Sequence, residues 1–150
     1  MNKLNEIIKI SDIHAEKIRL AQNRLQGIFP IDVEKFNNLK EEEFLFIELL
    51  VNRFSKLQDF IGTKLIDSFF EIKAEIVSNM TMIDKINRLE RLGVIKHTSL
   101  WVQMIEVRNH LVHEYPNHPE ITIRYINQVF EVSLELLHML DSIKINLSIL

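Results

Sequence analysis

The chain has 150 residues, a formal net charge of −3, 47% hydrophobic residues and 26% charged ones. That composition fits one folded domain over residues 1–150, shows no signature of disorder and argues against binding nucleic acid along a broad basic face, though it leaves room for a small local site. With no cysteine, disulfides, thiolate zinc sites and thiol nucleophiles are all excluded, and a metal would have only His and carboxylates to bind it.

The opening residues, MNKLNEIIKISDIHAEK, mix charges among apolar side chains and offer no signal-peptide core. No run approaches the roughly 18 consecutive apolar residues of a membrane span. A cytoplasmic protein with no membrane contact is the expectation. Glycine and proline, three of each, are scarce, which points to long helices and few turns.

Helix one is predicted over residues 4 to 26, where Leu4, Ile7, Ile8, Ile13, Ala15, Ile18 and Leu25 recur at mostly helical intervals and Gly27 supplies the stop. The pattern lapses from Ile31 to Leu39, a loop with room for a short helical turn. Asn38 with Glu41 resembles a capping box, and Glu41 to Glu43 place negative charge at a helix N-terminus. Helix two therefore starts near Leu39. Phe44, Ile47, Leu50, Val51, Phe54, Leu57, Ile61, Leu65, Phe69 and Ile72 carry it on, with a bend possible at Gly62.

Thr81 and Asp84 form a second capping pair ahead of Ile83, Ile86, Leu89 and Leu92, closed by Gly93. Helix four, capped by Thr98 or Ser99, should end near Glu114 because Pro116 disfavours helical geometry before it. Pro119 suits the first position of helix five, which runs through Ile123, Ile126, Val129, Phe130, Leu134, Leu137 and Leu140 to about Ile145. The sum is an all-α chain, an antiparallel bundle of about five helices with one long second helix.

Chemistry concentrates in WVQMIEVRNHLVHEYP, residues 101 to 116. Trp101, Met104, Ile105, Leu111, Val112 and Tyr115 form one apolar stripe, and Arg108 falls in its middle. A guanidinium there implies a fixed carboxylate, a subunit interface or an anionic ligand. Asn109 and His113 are four apart and project from one face, with Glu106 nearby. On an ideal helix Arg108 and His113 project roughly 140° apart. They meet only if Arg108 leans, if the last turn unwinds, or if a two-fold axis pairs one subunit's Arg with the other's His. Imidazole moves protons near neutral pH and guanidinium holds phosphate oxygens, a pairing suited to RNA cleavage without a metal or cofactor.

Arg108-Asn109, then His113, then Tyr115 resembles the Arg-x4-His-x-Tyr motif of the HEPN superfamily, especially its HepT-like toxins. The layout is similar too: a long second helix, the short leucine-rich KINRLERLGVI closed by glycine, and the motif on helix four. The resemblance implies a homodimer with the motif at its interface and a metal-independent ribonuclease. Arg108 and His113 would be the catalytic residues, with Asn109 supporting them. It further implies a minimal nucleotidyltransferase (MNT) antitoxin as partner and Tyr115 as a possible AMPylation site. The alternative it leaves open is a non-catalytic nucleotide- or substrate-binding subunit of that nucleotidyltransferase.

Blander readings stand beside these. Arg108 can be a structural ion pair, and His110-x2-His113-Glu114 lacks the order and spacing of a zincin site. Trp101 reads as core or interface, and Lys85, Arg88, Arg91 and Lys96 either guide RNA or form a solvated helix face.

Overall fold

The computed structural model describes residues 2–113 and 118–148, and every regular element among them is a helix. In α1 (Asn2–Leu25), Leu4, Ser11, Ile18 and Leu25 are buried at seven-residue spacing with Ile8 and Ala15 beside them. That repeat makes a narrow seam, suited to two helices lying along each other. The partner is α3 (Glu41–Phe60). Small residues at Ser11, Ala15 and Ala21 let the backbones approach, and the buried Ser11 hydroxyl is satisfied by donating to Ile7 O at 2.9 Å. Gly27, at φ +88°, ends the helix as its position predicts.

A short helix, α2 (Val33–Asn37), fills the predicted loop, capped by Asp32, whose carboxylate accepts from Lys35 N–H at 2.8 Å. Asn38 does not open the next helix. It closes α2 instead, donating its side-chain amide to Glu34 O, and α3 begins at Glu41 with Glu43 Oε1 accepting from Lys40 N–H at 2.8 Å.

The long second helix is continuous but not uniform. After α3 comes a π turn (Ile61–Leu65) around Gly62, in which Ile66 N–H reaches back to Ile61 O, and then α4 (Ile66–Ile72). A π turn takes up one extra residue and rotates everything beyond it. Ile66, Phe69 and Phe70 therefore face the core while Ile72, which a uniform helix would bury, is exposed.

The Thr81–Asp84 capping box is present in both directions at 3.2 Å ahead of α5 (Met82–Arg91), and Gly93, at φ +76°, closes it. The apolar stripes of α1 and α5 are narrower than the pattern implies, since Ile13, Ile83 and Leu92 are exposed. Helix α6 (Thr98–Leu111) is capped by neither Thr98 nor Ser99: His97 takes that position without a side-chain bond. The cap comes from α5, where Glu90 Oε1 accepts from Thr98 N–H and Asn87 Oδ1 from the Thr98 hydroxyl, both at 2.7 Å. Helix α6 also stops at Leu111, three residues short of the predicted Glu114.

Pro119 opens α7 (Pro119–Asn146), whose buried face runs from Ile123 to Ile143, with Leu134 turned outward. Polar ties fix it to the rest. Gln22 donates to Ser133 Oγ at 2.6 Å, and the Asn127 amide brackets Ile31 by accepting from its N–H and donating to its carbonyl, each at 2.8 Å. Helix α6 packs against α7 and α3, so one face of the motif helix looks across at the polar side of α3. Among the described residues no helix is long and apolar enough to cross a membrane.

Candidate functional site

On α6 the buried residues are Trp101, Met104 and Val107. Arg108 therefore lies at the edge of the core stripe and not in its middle, with its side chain 31% exposed, and Val112, expected in that stripe, is 70% exposed. The guanidinium has found a carboxylate: Arg108 Nη1 donates to Asp59 Oδ1 at 3.1 Å across to α3. It does so through one nitrogen, and Asp59 is 64% exposed. An exposed pair of this kind contributes about 0–1 kcal/mol. Holding the fold together is thus a minor role for Arg108, and a competing anion can displace the carboxylate at small cost.

The pair lines an open cleft of about 440 Å³, where Arg108 and Asn109 face Asn52, Ser55, Lys56 and Asp59. Lys56 is exposed and makes no ion pair among the described residues. Two cations and one carboxylate thus line the cleft, a local positive excess in a chain whose net charge is −3. Positive character continues to the far side of α3. There Arg53 Nη1 donates to His14 Nδ1 at 3.1 Å, and burial, then the charges of Arg53 and Lys56, hold the His14 imidazole below the ordinary histidine value.

The α3 contribution is absent from the sequence reading, although its signal is legible. Asn52, Ser55, Lys56 and Asp59 stand at i, i+3, i+4 and i+7, one polar ridge beside the apolar one. An adjoining apolar groove of about 460 Å³, between Phe36, Phe44, Val51, Leu111, Val112 and Ile126, shares Asn52, Ser55 and Val112 with the cleft.

Of the predicted site residues, Arg108 and Asn109 come together on the cleft wall. His113 is exposed, lies beyond the end of α6 and is not among the residues lining the cleft. Its N–H donates to His110 O at 3.3 Å, a three-residue step, so the last turn has already left α-helical geometry. The projection that set Asn109 and His113 on one helical face accordingly does not apply. Tyr115 lies outside the described residues. His110 is engaged elsewhere, stacked on Tyr125 with ring centroids 4.1 Å apart.

The basic residues of the α5 region are largely spoken for: Lys85 pairs with Asp67 at 2.7 Å, Arg88 with Glu75 at 2.6 Å and Lys96 with Glu135 at 4.0 Å. Among the described residues no group of three or more His, Asp or Glu is placed to hold a metal ion. No family model, curated protein or solved structure matches this chain.

Proposed function

We propose that the chain is a HEPN-like, metal-independent endoribonuclease toxin, acting in the cytoplasm as a homodimer restrained by a minimal nucleotidyltransferase antitoxin. The observation that carries this reading is the Arg108-Asn109, His113, Tyr115 string at the end of α6, with Arg108 and Asn109 on the wall of a cleft carrying a local positive excess. In the reaction, His113 takes the proton of a ribose 2′-hydroxyl, and the freed 2′-oxygen attacks the adjacent phosphorus. The P–O5′ bond breaks, leaving a 2′,3′-cyclic phosphate and a 5′-oxygen that takes a proton from water to become the 5′-hydroxyl. Arg108 steadies the charge that grows on the non-bridging oxygens, and Asn109 supplies a further hydrogen bond there. Because His113 stands apart from the cleft lining, the homodimer supplies it from a second copy. Exposed Val112 and the apolar groove beside it give that copy a surface to cover.

A second reading, a non-catalytic nucleotide- or substrate-binding subunit of the nucleotidyltransferase, is favoured by the cleft lining, which holds Arg108 and Asn109 but not the His113 general base. Incubation of a mixed RNA pool with purified protein in excess EDTA separates the two. The ribonuclease yields fragments ending in cyclic phosphate from wild type and none from folded His113→Ala or Arg108→Ala. Equal cleavage by all three proteins rejects the assignment, and no cleavage by wild type leaves the binding subunit.

A further inference from the structure

Arg108 and His113 hang from different supports. Arg108 belongs to α6 proper and reaches across to Asp59 on α3 at 3.1 Å, whereas His113 lies exposed beyond the end of α6, where its N–H donates to His110 O at 3.3 Å. Past its last regular turn a chain no longer takes its direction from the helix, and the residues that anchor it decide where it points. His110 is such an anchor. Its ring lies flat on the ring of Tyr125 in α7, with centroids 4.1 Å apart and planes 5° from parallel. Tyr125 is buried on the core face of α7, and the Arg124 guanidinium lies over its ring, 5.7 Å from the centroid. Stacked rings favour a narrow set of relative orientations. The residue whose carbonyl holds the turn is thus fixed, through its side chain, to a different helix from the one with which Arg108 pairs.

We propose that Tyr125 is a positioning residue: through its stack on His110 it sets where His113 is held, and so the geometry in which the imidazole of the proposed ribonuclease meets its 2′-hydroxyl. The role presupposes His113 as the base of that reaction. Tyr125 acts through His110, and within its own chain. A homodimer whose sites join one copy's Arg108 to the other's His113 therefore depends on the Tyr125 of the copy that gives the histidine. A general base must stand about 3 Å from the proton it takes, and a misplacement of about 1 Å costs on the order of 10²-fold in rate. Phosphate held by Arg108 and Lys56 does not pass through the stack, so binding and turnover separate.

Four variants of the full chain, each checked for helical content, test this. Tyr125→Phe keeps a ring and Tyr125→Leu removes it; His110→Phe and His110→Ala do the same from the half-buried side. In steady-state cleavage of a short RNA, Tyr125→Leu and His110→Ala should lose at least about tenfold in kcat with KM within about twofold of wild type. Both Phe variants should stay near wild type. In co-expressed mixtures of Arg108→Ala and His113→Ala chains, complete sites arise only where two copies join. Adding Tyr125→Leu to the Arg108→Ala chain should lower the restored activity by the same factor, and adding it to the His113→Ala chain should leave it, a difference that a general loss of stability does not produce. Equal losses in ring-keeping and ring-deleting variants, or a raised KM with kcat unchanged, would overturn the proposal. A second readout needs no RNA: amide order parameters from nitrogen-15 relaxation should fall at Val112 and His113 in Tyr125→Leu and His110→Ala and hold from Trp101 to Val107. Unchanged order at His113 in both would equally overturn it. Lost order at His113 in a wild-type background that cleaves no RNA removes the ribonuclease and keeps the stack as the anchor of the turn; cleavage with kcat untouched by either ring deletion removes the positioning role alone.

Discussion

Helix α3 and its continuation meet two neighbours in opposite ways. Toward α1 the packing is closed: Leu50, Phe54 and Leu57 have no exposed surface, small residues on α1 bring the backbones together, and the one buried hydroxyl is paired. Toward α6 it is open: the helix widens into a π turn, Gly62 lies against the Trp101 ring, two buried polar atoms lack partners among the described residues, and Asp59 and Arg108 line two open pockets. One face carries the stability of the bundle. The other leaves space open and polar groups unpaired, which costs it stability.

The contrast can be broken at either face. Phe54→Ala empties a fully buried aromatic position on the closed side and should lower stability by about 3–5 kcal/mol, read from urea unfolding. Gly62→Ala acts on the open side, where a Cβ would stand 3.2 Å from Trp101 Cζ2. Alanine gains about 1 kcal/mol of helix propensity over glycine, but crowding a buried ring costs about 1–3 kcal/mol. A net loss near 1 kcal/mol with a shifted Trp101 emission is expected, and a more stable variant would mean that the indole moves freely into the pocket it lines.

Asp59→Asn should change the unfolding free energy by less than about 1 kcal/mol. It should nevertheless tighten binding of a short RNA by the His113→Ala protein, because the carboxylate no longer competes for Arg108. Unchanged RNA affinity would show that the pair does not screen the guanidinium. The smallest effect belongs to His14. Its folded value lies below the ordinary one, so the unfolded chain takes up more protons as pH falls past about 6.5. Stability from this group is complete above that point and declines as pH drops toward the folded value. His14→Gln should flatten that part of the profile in unfolding titrations across pH 4 to about 8.

The helices were legible because a 3.6-residue apolar period survives without knowledge of neighbours. Gly27, Gly93, Pro119 and the Thr81–Asp84 pair marked ends for reasons local to the chain. What periodicity does not reveal is phase after an irregular turn, hence Ile72, or a cap supplied by another helix, hence Glu90 and Asn87 at Thr98. The site suffers most from this. The presence of an unusual cation at Arg108 was readable in one helix, but its partner Asp59 lies 49 residues away, and only packing decides which polar ridge an edge position meets. Val112, apolar by type and exposed in fact, shows the same gap from the other side.

The two hydrogen bonds by which Asn127 grips Ile31 tie a loop between the first two helices to the first half of the last one. Ile31 N–H is thereby shielded by a side chain 96 residues away and not by any helix of its own. In hydrogen–deuterium exchange this loop amide should behave as a member of α7, surviving as long as that helix stays docked and exchanging when it leaves. One amide thus becomes a sentinel for the closing of the whole bundle.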